Sequence, residues 1–182
     1  MSLKPCCVNI PHVVKNFSFL FIILLICGCS SSKKTVIAPP LDVTVVITGS
    51  LPNPSAFEKG GRLALGSFKP GPGAAADDET DELSSMIIKG IKDTLPAANT
   101  HFTIPADDGQ DSDFDLEGYI EDYGNKGHSS HLSVDGAIEL RETGEKILLF
   151  QTSVMIDLKT QNPKTVAYRI GAAIAHFIEL RN

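Results

Sequence analysis

Leu132-Ser133-Val134-Asp135-Gly136-Ala137-Ile138-Glu139-Leu140-Arg141, then Glu142-Thr143-Gly144-Glu145, then the run from Leu148 to Leu158, is the stretch whose reading decides the fold. In its first part Leu132, Val134, Gly136, Ile138 and Leu140 alternate with Ser133, Asp135, Ala137, Glu139 and Arg141. A period of two with one apolar side is the mark of an antiparallel strand with one face on a core and one in water. Glu142 to Glu145 supplies a turn, with a glycine for its left-handed position. Beyond it Leu148, Phe150, Thr152, Val154, Ile156 and Leu158 form a longer inward face. A hairpin follows, and the rest of the domain must cover its apolar side.

Upstream, Phe114, Leu116, Gly118 and Ile120 alternate with Asp115, Glu117, Tyr119 and Glu121, a third strand, with Gly124 to Gly127 expected to turn the chain. Downstream, Asn162 as N-cap and Pro163 in the first turn open a helix. Its apolar face is Val166, Ile170, Ile174 and Phe177, beside a small-residue stripe, Ala167, Gly171 and Ala175, expected to let it lie close on the sheet. An earlier helix is expected from Asp77 to Leu95. Acidic residues crowd its start, where the helix dipole favours them, and Leu83, Ile87, Ile91 and Leu95 recur along one side before Pro96 ends it. Gly90 within it is expected to mark close approach to the sheet.

Three shorter strands are expected at Leu41 to Thr48, at Arg62 to Phe68 and at His101 to Ile104. Gly49 to Gly61 reads as a loop, and Lys69-Pro70-Gly71-Pro72-Gly73 reads as a strand end, since proline and glycine suit neither a helix nor an interior strand. The order of elements predicts an α+β fold, a mainly antiparallel sheet of about four to six strands with two helices packed on one face.

Before this domain, Phe17 to Ile26 is apolar except for Ser18 and follows Lys4 and Lys15 with no acidic residue. That order describes a signal peptide. Ten helical residues span about 15 Å, half of the roughly 30 Å hydrocarbon core, so a cleaved leader is expected over residues 1–28 rather than a membrane span. Leu25-Ile26-Cys27-Gly28-Cys29 resembles the lipobox of bacterial lipoproteins, with Ile26 where Leu is commoner and Cys27 where a smaller residue is usual. The resemblance implies cleavage after Gly28 and lipid on Cys29, and Ser30, in place of an aspartate, implies the periplasmic face of the outer membrane. Residues 29–40, with Ser30 to Ser32, Lys33 and Lys34, are then a tether, and 41–182 a single periplasmic domain.

The mature chain is acidic. Without Lys4 and Lys15 it holds 14 basic against 22 acidic residues, a net charge of −8, which excludes a nucleic-acid partner on charge. Cys6, Cys7 and Cys27 leave with the leader, so the domain is expected to hold no disulfide and no thiolate ligand.

No motif nominates a catalytic site. His128 and His131 in Gly127-His128-Ser129-Ser130-His131 sit on a turn entering a strand, without an HExxH helix or cysteine beside them. His101 and His176 stand apart. Asp107, Asp108, Asp111, Asp113 and Asp115 do not meet the EF-hand spacing, and Ser67 lacks a nucleophile elbow. Gly71-Pro72-Gly73 has no following Lys-Ser/Thr, and five carboxylates after it would repel a phosphate. The expectation is a protein that is not an enzyme and takes no cofactor or metal.

The Phe114 to Ile120 run, the Leu132 to Leu158 hairpin and the helix from Pro163 together resemble envelope domains of the anticodon-binding-like fold. That group includes the curli-export lipoprotein, the amino-terminal domain of TolB and the lipopolysaccharide-assembly lipoprotein. The resemblance implies a lipid-anchored, non-catalytic binding or assembly factor for an envelope protein complex. The alternative is a hydrolase or a His/Asp metal-dependent periplasmic activity.

Overall fold

The computed structural model describes residues 43–106 and 111–181. The expected leader, Gly28, Cys29, the tether and the loop residues Asp107 and Asp108 lie outside the described residues. The domain is α+β, as the alternation and caps predict. Its strands are β1 (Ile47–Ser50), β2 (Gly61–Gly73), β3 (Phe102–Thr103), β4 (Phe114–Lys126), β5 (Ser129–Leu140) and β6 (Lys146–Asp157). Its helices are α1 (Pro54–Lys59), α2 (Asp78–Thr94) and α3 (Pro163–Glu179), with a 3-10 turn at Leu95–Ala97. The sheet order is β1-β6-β5-β4-β2-β3. β4, β5, β6 and β1 pair antiparallel, while β2 runs parallel to β4 and β3.

The hairpin forms as its sequence dictates. Val134 and Ile138 on β5 and Leu148, Val154 and Ile156 on β6 are buried, and Gly144 closes the turn at φ 69°. Gly118 and Gly136 lie opposite each other on the core side of β4 and β5. A side chain on either would collide with a ring, Phe68 for Gly118 and Phe150 for Gly136, so the two glycines form the notch that seats these aromatics.

Four expectations are corrected. First, the turn after β4 is not Gly124 to Gly127. The strand continues to Lys126, which pairs with Ser129, and a two-residue turn at Gly127 and His128 reverses the chain, with Gly127 at φ 69°. Second, the Pro-Gly run does not end β2, which continues to Gly73, paired with β4 at Lys69, Pro70 and Gly73. Proline is tolerated because β3 meets β2 only at Gly61 and Arg62, leaving the rest of β2 with a sheet neighbour on one side. Third, the loop Gly49 to Gly61 contains α1, capped by Asn53 Oδ1 on the Ala56 N–H at 3.0 Å, with Pro54 in its first turn. Its Phe57 is fully buried and meets Phe102 edge-on, which in turn meets Phe114. Fourth, Gly90 and the small-residue stripe of α3 serve a helix crossing and not a helix–sheet contact. A methyl at Gly90 would fall on the Tyr168 carbonyl, and one at Gly171 on the Ile87 carbonyl. The small residues let the two backbones touch above the sheet.

The caps of the long helices match their residues. Asp77 accepts from the Thr80 N–H at 2.9 Å, and Asn162 from the Lys164 N–H at 2.9 Å. Asn162→Ala leaves that donor without its side-chain partner, at a cost of about 1 kcal/mol. A denaturant midpoint that falls with an unchanged m-value is the expected readout, and an unaltered midpoint contradicts the capping role.

Candidate functional site

The helices cover one face of the sheet and the other is polar. Period-two alternation places Asp115, Glu117 and Tyr119 of β4, His131, Ser133, Asp135 and Glu139 of β5, and Gln151, Ser153 and Met155 of β6 on this open side. At the end near the β5–β6 turn the charges are paired: Arg141 Nε with Asp115 Oδ2 at 3.0 Å, Lys146 with Glu139 at 3.8 Å and Lys69 with Glu117 at 3.5 Å. Such exposed pairs contribute little stability, of order 0–1 kcal/mol each, but they neutralise that end.

Towards the other end the face changes character. A β-bulge between Ile120 and Asp122 sets two residues of β4 against one of β5. Strict alternation would turn Asp122 towards the core with Ile120, but the extra residue returns it to the open face. There Asp122 Oδ2 lies 3.2 Å from His131 Nδ1, and His131 Nε2 lies 2.6 Å from Ser153 Oγ. The three residues come from three adjacent strands. Next to them Thr48, Glu121, Ser133, Asp135, Gln151 and Ser153 line an open concavity of about 460 Å³. Burial holds the Glu121 carboxyl above the usual carboxylate range, and the neighbouring Asp135 adds to the effect. Asp135 Oδ1 is itself buried without a hydrogen-bond partner in the structure.

Among the histidines, His128 and His131 do not converge. His128 is exposed on the two-residue turn, whereas His131 points across the sheet to Asp122 and Ser153. His101 donates through Nδ1 to the Glu58 carbonyl at 2.7 Å, and His176 meets Glu179 at 3.2 Å. The acidic loop has structural uses: Asp113 accepts from the Arg62 N–H at 2.9 Å, and Asp111 lies 3.8 Å from Arg62. No group of three or more metal-ligating side chains occurs among the described residues, and none of their helices is long and apolar enough to cross a membrane. Sequence reasoning missed Ser153, a serine in no motif. The signal available for it was its outward parity on β6, one diagonal step from His131.

Tyr123 ties the far end of β4 to α2, its hydroxyl donating to Glu79 Oε1 at 2.5 Å. Burial, then the Glu79 carboxylate, pushes the phenol from 10.0 up to about 12. Because the fold favours the neutral phenol, this contribution to stability is complete below pH 10 and is lost as pH rises towards about 12. The ultraviolet phenolate signal removed by Tyr123→Phe is expected to titrate near 12. A midpoint near 10 contradicts the Glu79 contact.

No known family model matches the sequence, and no curated protein is similar to it. Solved structures share its fold. The PelC dodecamer of Paraburkholderia phytofirmans superposes with a TM-score of 0.53 at 12% identity, covering 75% of this chain and 98% of that one. A single-substitution variant of the same dodecamer gives 0.54 at 12% identity with the same coverage. A Xanthomonas campestris protein reaches 0.38 at 11% identity over 81% of this chain and 96% of its own, too distant to bear on the fold.

Proposed function

We propose that the chain is a lipid-anchored lipoprotein of the bacterial cell envelope, held by Cys29 on the periplasmic face of the outer membrane. There it acts as a binding and assembly factor and associates with further copies of itself. The observation that carries this reading is the fold shared with PelC, a protein that associates as a dodecamer, joined to the lipobox-like Leu25 to Cys29. Closed symmetric assembly is the usual outcome for like copies.

The open face suits contact better than the β2 edge does. The free side of β2 carries Pro70 and Pro72, and the Phe68 N–H is already taken by Ser84 Oγ of α2 at 2.9 Å. Both features discourage strand addition. The face instead presents Tyr119 and Met155, 45% and 62% exposed, among polar groups, the mixture that interface cores favour.

Light scattering on the detergent-solubilised full chain tests the reading. The expected result is a discrete oligomer that Tyr119→Ala combined with Met155→Ser dissociates. A monomer at every concentration in the wild-type chain, with no envelope protein recovered beyond that seen with Cys29→Ser, overturns it.

A further inference from the structure

Beyond that binding role, we propose that Ser153, His131 and Asp122 form a hydrolytic relay on the open sheet face that cleaves small, uncharged O-acyl esters. The relay geometry is on the molecule: the imidazole spans a carboxylate at 3.2 Å and a serine hydroxyl at 2.6 Å. An ionised Asp122 only accepts hydrogen bonds, so in the neutral ring the proton sits on Nδ1. Nε2 is then left with its lone pair towards Ser153 Oγ and accepts the hydroxyl proton. This is the arrangement a nucleophile needs, a base within hydrogen-bond reach and a third group fixing the tautomer of that base.

Ser153 also borders the 460 Å³ concavity, so a bound molecule lies beside its hydroxyl. The lining defines the substrate. Val46 and Val134 join Thr48, Ser133, Gln151 and Ser153 in an open lining without an enclosed channel for a long acyl chain, and Glu121 and Asp135 repel anions. Gln151 and Thr48 border the same concavity and carry the kinds of donor, an amide N–H and a hydroxyl, that a developing oxyanion requires.

In the reaction Ser153 Oγ bonds to the ester carbonyl carbon while its proton passes to His131 Nε2. The tetrahedral adduct collapses, the bond to the alcohol oxygen breaks, and His131 returns the proton to that leaving oxygen. Water then attacks the acyl-serine with His131 again as base, releasing the acid and restoring the hydroxyl. Asp122 is a positioning residue that also stabilises the imidazolium.

The test uses the detergent-solubilised full chain, para-nitrophenyl acetate as substrate and a fluorophosphonate as covalent probe. Ser153→Ala and His131→Ala are each expected to lower hydrolysis about 100-fold, with the probe found on Ser153 by peptide mass analysis. His128→Ala, which changes an exposed histidine outside the relay, is expected to keep the full rate, separating the relay from unspecific imidazole hydrolysis. Asp122→Asn is expected to lower kcat more than KM, because the imidazolium loses its carboxylate. All four positions are solvent-facing, and unchanged thermal melts show that the variants fold. A Ser153→Ala variant as fast as the wild type, or a probe that labels another residue or none, overturns the proposal.

Discussion

Gly171→Leu is expected to unfold the domain at a temperature roughly 10 °C below the wild type. The physical reason is the crossing of α2 and α3. Even a methyl at Gly171 would land on the Ile87 carbonyl, with the Gly90 Cα about 3.0 Å away, so backbone and not a pliable side chain stands in the way. On one side of Gly171 is Ala167 and on the other Ala175, both fully buried, so the helix cannot roll aside without exposing its apolar face. Forcing atoms into such packing costs about 3 kcal/mol, and each kcal/mol lowers the melting temperature of a domain this size by roughly 2–4 °C. Gly124→Ala is the matched control. A Cβ there meets nothing within 4 Å, and its effect is expected within about 0.5 kcal/mol. Equal melting temperatures for Gly171→Leu and the wild type would show that the helices do not touch in solution.

The second large effect is expected from Cys29→Ser. Each buried methylene contributes about 0.8 kcal/mol to membrane binding, and one chain alone holds only reversibly while two hold stably. Losing the acyl-bearing thiol is therefore expected to move the protein wholesale from the membrane fraction to the soluble periplasmic fraction. The intact mass of the wild type is expected to exceed that of the chain cleaved after Gly28 by the lipid. An unmodified mature amino terminus, or fractionation unchanged by the substitution, refutes the lipobox reading. Recovery only with inner-membrane fractions refutes the inference from Ser30.

The two experiments also bear on the open face. If like copies meet through Tyr119 and Met155, tethering at Cys29 confines them to a surface and raises their effective concentration, as linkage does for any paired sites. The soluble Cys29→Ser chain is then expected to dissociate on dilution before the anchored one does.

What was legible in the sequence was what short-range physics dictates. Alternation from Phe114 to Ile120 and from Leu132 to Leu158 settled which side chains face the core, because successive strand residues point to opposite faces. Asn162-Pro163 and Asp77 marked helix starts, because a cap is a contact over two or three residues. The α+β class followed from their order.

Tertiary structure decided the rest. The parallel place of β2 beside β4 let the Pro-Gly run remain a strand, since only the neighbour on the far side could have objected to proline. Gly90 and the Ala167-Gly171-Ala175 stripe had several possible partners in one dimension. The crossing of α2 and α3 chose each for the other. The Asp122–His131–Ser153 line depends on the register of three strands and on one extra residue in β4. A bulge shifts parity without altering composition, so three residues from three strands, none of them in a motif, converge only after the sheet has formed.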